Sequence, residues 1–212
     1  MINEELQKYI EQLIPERPNI LLKMEQYAKE HHVPIMELAG IEGMLQLLRL
    51  QQPKNILEVG TAIGYSATRM IYTVPDTQVV TIERDQERYE VAEGFFKEAG
   101  IESQVVLIKG DALEVSEEVQ SHGPYDCIFI DAAKGQYRKF FEQYSPLLTA
   151  SGMIITDNVL FKGLVAVSHI ENKRTKNIVN KINDFNLWLM KHPEYHTVIL
   201  PVGDGIAISK KR

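Results

Sequence analysis

Apolar residues recur every three or four positions through the first fifty residues, then give way to short β-rich runs. Residues 3–13 and 18–31 have helical spacing, punctuated by Pro15, Pro18 and Pro34. A third helical stretch, 36–50, places Leu38, Ile41, Leu45 and Leu48 on one side. From Pro53 onward five apolar runs predict strands at 55–60, 79–83, 104–111, 125–131 and 152–158. Amphipathic stretches lie between or after them at 64–74, 85–99, 112–121, 136–148 and 174–191. Gly100 stands where a helix-ending glycine belongs. Such alternation predicts right-handed βαβ crossovers and a parallel sheet with helices on both faces. The last two runs, 196–202 and 205–211, are joined by Gly203-Asp204 and can pair only as an antiparallel hairpin. The expected architecture is one α/β domain over 1–212. A helical extension, 1–52, precedes a core, 53–212, with a seven-stranded, mostly parallel sheet.

Composition narrows the function classes. With 44% hydrophobic residues the chain can bury a sizeable core. Its single cysteine excludes an intrachain disulfide and a cysteine-rich zinc site, and points to the reducing cytoplasm. Cys127 lies within an apolar run and reads as core. No secretory signal is visible in the charged opening residues, and no apolar run is long enough to span a membrane. The balance of 23 basic against 29 acidic residues excludes a positive coat for duplex DNA but is silent about a local patch.

The chemistry gathers at the ends of the expected strands. EVGTAIGYS (58–66) follows a strand and opens a helix, and Gly60 and Gly64 allow a sharp turn and close approach of a ligand. Glu83 ends the next strand, where a carboxylate commonly binds ribose hydroxyls, and Asp111 could reach an adenine edge. Two glycines and strand-end acids are also ordinary turn chemistry. A nicotinamide-dinucleotide enzyme would want G-x-G-x-x-G, whereas here an acid precedes the first glycine, in E-x-G-x-x-x-G. That acid suits a cationic amino-acid tail and favours S-adenosylmethionine. Further along, Asp131 ends the fourth strand and Asp157-Asn158 the fifth. Two carboxylates and an amide are hard ligands suited to Mg²⁺, and Mn²⁺ or Ca²⁺ fits similar oxygens. Lys134 would overhang that site as a candidate general base. Taken singly, each acid could instead cap a helix or shape a turn.

Together EVGTAIGYS, TIE, GDA, FIDAAKGQY and ITDNVL resemble the cation-dependent class I O-methyltransferases of the catechol and caffeoyl-CoA type, over nearly the whole chain. Within that family, HHVPIME (31–37), DAAKGQY, TDNVLFKGLVA (156–166) and PVGDG (201–205) are most similar to the bacterial tRNA 5-hydroxyuridine methyltransferases. The resemblance implies a Rossmann-like class I methyltransferase fold with S-adenosylmethionine as methyl donor. By it, Met36, Glu58, Gly60 and Ser66 belong with the cofactor's methionine end, Glu83 with its ribose, and Asp111 and Ala112 with its adenine. Asp131, Asp157 and Asn158 would hold the metal; Asp131 also borders the cofactor and, with Lys134, forms the catalytic pair. Ala62 departs from the catechol-type pattern, which has tyrosine there.

A metal that binds two vicinal oxygens serves a catechol or the 5-hydroxyl and O4 of 5-hydroxyuridine equally well. The core motifs therefore leave the acceptor open. Lys173, Arg174, Lys176 and Lys181 stand against only Glu171 in the stretch 169–181, and Lys162 precedes it. Such a run is commonly just a solvated helix face. The resemblance makes Lys162, Lys173, Arg174 and Lys176 candidate contacts to a tRNA anticodon loop. The expected reaction is methylation of 5-hydroxyuridine at the tRNA wobble position to 5-methoxyuridine. Its alternative keeps the chemistry on a small catechol or caffeoyl-CoA-like phenol. Apolar faces of the N-terminal helices in excess of a minimal sheet's needs raise the expectation of a homodimer, and Trp188 reads as packing, with contact to a partner subunit as the alternative.

Overall fold

The computed structural model describes residues 4–212. The apolar runs form strands β1 (Asn55–Val59), β2 (Gln78–Glu83), β3 (Val105–Lys109), β4 (Tyr125–Ile130) and β5 (Leu148–Thr156). The closing pair is β6 (Tyr195–Leu200) and β7 (Ile206–Lys211). One sheet results, in the order β3-β2-β1-β4-β5-β7-β6, parallel through β5. β7 enters between β5 and β6 and runs antiparallel to both.

Three helices precede the sheet: α1 (Glu4–Leu13), α2 (Asn19–Glu30) and α3 (Leu38–Gln51). The others are α4 (Tyr65–Thr73), α5 (Gln86–Ala99), α6 (Ser116–Ser121), α7 (Tyr137–Tyr144) and α8 (Lys173–Met190). Successive strand residues face opposite ways, so β1 supplies Ile56 to one core and Leu57 to the other. The first core packs Ile56, Phe129 and Ile155 against Met24, Met44, Leu45 and Leu48 of the extension. The second packs Leu57, Ile128 and Ile154 against Phe140, Phe141, Phe185 and Leu189. The extension is thus a covering layer of the sheet rather than an appendage. Cys127 lies in the first core, and its thiol is pushed up to about 12 by burial. Trp188 packs edge-on against Phe141. On α1, by contrast, Leu6, Tyr9 and Leu13 are exposed. Among the described residues no helix is long and apolar enough to cross a membrane.

Side chains and turns set the helix limits. Asp85 caps α5 by accepting from Arg88 N at 3.2 Å, and Gly100 ends it at φ +69°. α6 begins four residues later than its periodicity predicts. Asp111 bends the chain first, its Oδ1 accepting from Leu113 N at 2.9 Å and its carbonyl from Glu114 N at 2.8 Å. α7 stops at Tyr144 because Pro146 converts the continuation into a short 3-10 turn.

A polar network joins the extension to the start of α4. Tyr65 Oη donates to Glu25 Oε1 at 2.6 Å and accepts from Arg69 Nη1 at 2.8 Å. Arg69 also pairs with Glu42, and Arg17 clasps Glu25 through two bonds of 2.6 and 2.9 Å. Arg69 is buried, so its charge depends on these acids.

Candidate active site

Backbone pairing brings the strand ends to one rim. Gly60 N and Thr61 N both donate to Ile82 O at 3.1 Å, Asp131 N donates to Val59 O at 3.0 Å, and Asp157 N to Ile130 O at 3.0 Å. Each turn leaving a strand is therefore tied to its neighbour's end. Gly60, Glu83, Asp131 and Asp157 come together although 23, 48 and 26 positions separate successive ones along the chain. Gly60 has φ +108°, and a Cβ there would meet Asp131 O at 2.1 Å. Gly60→Ala is therefore expected to cost about 3 kcal/mol or more and to abolish cofactor binding, whereas Gly94→Ala, with nothing within 4 Å, should be tolerated. Thermal unfolding and S-adenosylhomocysteine titration check this; near-parental values for Gly60→Ala would refute the close approach.

The rim opens into a crevice of about 680 Å³. Met36, Gly60, Ser66, Glu83, Asp111, Ala112, Asp131, Lys134, Asp157, Asn158 and Lys162 all line it. Glu83 is fixed by three backbone donors, Ala62 N at 2.9 Å and Arg84 N and Asp85 N at 3.0 Å each. Ala62 offers its N–H from a left-handed turn, φ +46°. Asp111 is held below the usual carboxylate range, chiefly by the bond from Leu113 N, and also pairs with Arg84 at 3.0 Å. Ala112 presents its carbonyl to Gln143 and Tyr144.

Glu58 is placed differently. It lies behind the crevice wall, fully buried, accepting from Ser66 Oγ and from Thr81 Oγ1 at 2.5 Å. It reaches the crevice wall through Ser66 and through Thr81 and Thr61. Burial pushes its carboxyl up to about 8, helped by the nearby acids Asp131 and Glu83. A carboxyl raised in the native state penalises folding as pH climbs from the ordinary value near 4.5 to about 8. The ligand-free protein should lose stability on the order of a few kcal/mol across that window, and Glu58→Gln should flatten the loss. Denaturant melts at pH 5 and pH 8 check it; identical slopes in both proteins would contradict the assignment.

The acceptor end is carboxylate-rich. Asp157 is buried and Asp131 half-buried, and burial raises both above the usual carboxylate range, with Asp131 acting further on Asp157. Asn158 adopts φ +57°, donates from Nδ2 to Asp157 Oδ2 at 3.0 Å, and accepts from Lys134 Nζ. Tyr137 Oη donates to the Asp157 carbonyl at 2.9 Å and pins the turn. Among the described residues no cluster of three or more His, Cys, Asp or Glu side chains is poised for a metal. The donor set of two carboxylates and one amide nevertheless fits a hard divalent cation, whose charge would relieve the crowded acids. Lys134 holds the Asn158 oxygen that such an ion would use.

Two residues at this end lie within the motifs PVGDG and TDNVLFKGLVA, which gave them no role. Asp204 joins the crevice from the β6–β7 turn and accepts from Lys162 N and Leu160 N, the first through its side chain and the second through its carbonyl. Phe161, at φ +44°, lines the crevice with its ring 6.0 Å from Lys134 Nζ. Lys173, Arg174 and Lys176 lie outside it, exposed on the first turns of α8.

A family model described as O-methyltransferase matches residues 12–212. The chain belongs to the O-methyltransferase family. This O-methyltransferase is 30% identical to the caffeoyl-CoA O-methyltransferase of Medicago sativa, over 94% of the chain and 84% of the relative. Its structure is similar to that of a candidate caffeoyl-CoA O-methyltransferase from Staphylococcus aureus. That match has a TM-score of 0.92 and 40% identity, and covers 97% of this chain and 99% of the other. It also matches the Podospora anserina methyltransferase PaMTH1, solved with S-adenosylhomocysteine, at a TM-score of 0.86 and 25% identity, covering 99% and 94%. The sheet order and antiparallel end strands are those expected for the methyltransferase fold.

Proposed function

We propose that this O-methyltransferase moves the methyl group of S-adenosylmethionine to the 5-hydroxyl of 5-hydroxyuridine at the tRNA wobble position, assisted by a divalent cation. The observation that carries the chemistry is the convergence of Asp131, Asp157, Asn158 and Lys134 on the rim that Gly60, Ser66, Glu83 and Asp111 share. S-Adenosylmethionine supplies an electrophilic methyl group on a sulfonium. A divalent cation supplies a Lewis acid that orients vicinal oxygens and makes a hydroxyl more acidic. The chain's own residues do the rest. Glu83 can accept from ribose hydroxyls because its backbone donors fix both oxygens in place. Asp131, Asp157 and Asn158 provide oxygen ligands from two adjacent strand ends. Lys134 stands at the acceptor position, where it can take the hydroxyl proton or orient the oxygen.

Support for the RNA acceptor comes from the motifs that resemble those of the tRNA enzymes, from Lys162 at the crevice mouth, and from the exposed basic turns of α8. The caffeoyl-CoA relatives favour a second reading, methylation of a phenol carried on coenzyme A. Methyl incorporation decides between them. Hypomodified tRNA carrying 5-hydroxyuridine is expected to be methylated at least about tenfold more efficiently than catechol or caffeoyl-CoA, a difference of about 1.4 kcal/mol. Mass spectrometry of the product nucleosides should show 5-methoxyuridine. Methylation of caffeoyl-CoA alone would overturn the RNA assignment and leave the chemistry standing.

A further inference from the structure

A second, smaller cavity shares Lys134 with the crevice. It has a volume of about 170 Å³, and its walls include Lys134, Gly135, Arg138, Lys181 and Asp184. Lys134 turns its Nζ to Asn158 and Arg138 pairs with Glu142, which leaves Lys181 and the remaining N–H groups of Arg138 beside Asp184. Lys181 reaches it from α8 and crosses Gly135 so closely that an added Cβ would lie 3.3 Å from both Lys181 Cδ and Nζ. Among the described residues Lys181 forms no ion pair, and the acid that lines the cavity with it is Asp184. Arg138 stacks its guanidinium 5.0 Å above Trp188 and pairs with Glu142 through Nε at 2.8 Å, which leaves its terminal N–H groups as donors.

Helix geometry separates this cluster from the rest of the basic run. At 100° per residue, Arg174 lies about 20° from Lys181 around α8, whereas Lys176 lies about 140° away. Only part of the basic run can therefore face the turn that carries Lys134.

We propose that Lys181 and Arg138 form a subsite for a phosphate ester of the acceptor, beside Lys134. The proximity indicates which phosphate. In a nucleotide only a ribose stands between the base and its phosphodiesters. In a coenzyme A thioester the pantetheine arm separates the phenol from every phosphate. A phosphate cavity one side chain away from the acceptor oxygens thus fits a nucleotide of an RNA chain. The identity of the phosphate's carrier rests on the tRNA reading above; the cavity and its charge do not.

The test compares the parent protein with Lys181→Gln and Lys181→Arg. Binding of an anticodon stem-loop RNA is followed by fluorescence anisotropy over a range of salt. Methylation is measured on that RNA bearing 5-hydroxyuridine, on the free 5-hydroxyuridine nucleoside, and on caffeoyl-CoA. Lys181→Gln should weaken RNA binding about three- to tenfold and lower the slope of log K against log salt by about one. Lys181→Arg should restore both. Nucleoside methylation and S-adenosylhomocysteine affinity should not move. An unchanged salt slope, or an equal loss on the nucleoside, would overturn the subsite. A loss confined to caffeoyl-CoA would keep the phosphate site, move its ligand to coenzyme A and refute the RNA carrier. A Lys181-dependent RNA affinity without methyl transfer would uphold the subsite and remove the acceptor assignment instead.

Discussion

Asp157→Ala is expected to lower kcat/KM for methyl transfer by about three orders of magnitude without reducing the stability of the metal-free protein. The two effects have one origin. Asp157 is buried beside Asp131, and both carboxyls are held above their ordinary range by desolvation. Without a cation, keeping such a pair in the native state costs folding free energy at any pH above the unfolded carboxylate value. Alanine removes that cost, so the melting temperature near pH 7 should match or exceed the parent's. The turn keeps its anchor, because Tyr137 bonds to the backbone carbonyl of residue 157. On the proposed reading activity should fall because a divalent cation held by Asp157 would supply several kcal/mol of transition-state stabilisation, and each 1.36 kcal/mol is a factor of about ten. A companion reading uses no catalysis: Mg²⁺ should raise the parent's melting temperature and leave that of Asp157→Ala unchanged. Full activity in the variant, or an undiminished Mg²⁺ shift, would remove Asp157 from the site.

Lys134→Ala is expected to lower kcat by about 10²- to 10⁴-fold, the usual range for loss of a positioned proton acceptor. It should at the same time bind Mg²⁺ more tightly. Lys134 Nζ donates to the Asn158 oxygen, and its charge faces Asp131 and Asp157. Removing the ammonium frees a ligand atom and withdraws a competing positive charge. Activity and metal affinity should therefore move in opposite directions, an outcome that general damage to the site would not produce. The pH–rate profile distinguishes the role of the amine. Loss of the acidic limb identifies Lys134 as the base, whereas an unchanged limb restricts it to orienting the acceptor. Weaker Mg²⁺ binding by Lys134→Ala would contradict the competition.

The parallel strands were legible because strands buried on both faces are nearly continuous apolar runs, as ILEV and CIFI show. Asp131, Asp157 and Asn158 were legible because a strand-end residue has a known place once its strand is found. Glu58 shows the limit of that reasoning. It was expected near the cofactor's methionine end, but alternation within β1 leaves its side chain behind the wall, connected to the crevice through Ser66 and through Thr81 and Thr61. Asp204 was hidden for another reason. It sits in a hairpin turn and reaches the acceptor end because β7 lies beside β5, which lets Val159 N bond to Gly205 O and Leu160 N to Asp204 O. That placement depends on sheet order, and local spacing does not encode it. The basic run gave its charge directly but not its direction. The rotation of α8 decides which of its cations face Lys134.

The change of texture at residue 53 marks no place where the molecule could be divided. A chain lacking the first 52 residues would keep Arg69 but lose Glu42, its acidic partner, and Tyr65 would lose Glu25. The second of these tyrosine and arginine positions helps hold the first turn of α4, next to Ser66 and the glycine loop. The crevice therefore has its foundations partly in helices that supply few of its walls, and the N-terminal quarter of the chain and the core depend on each other.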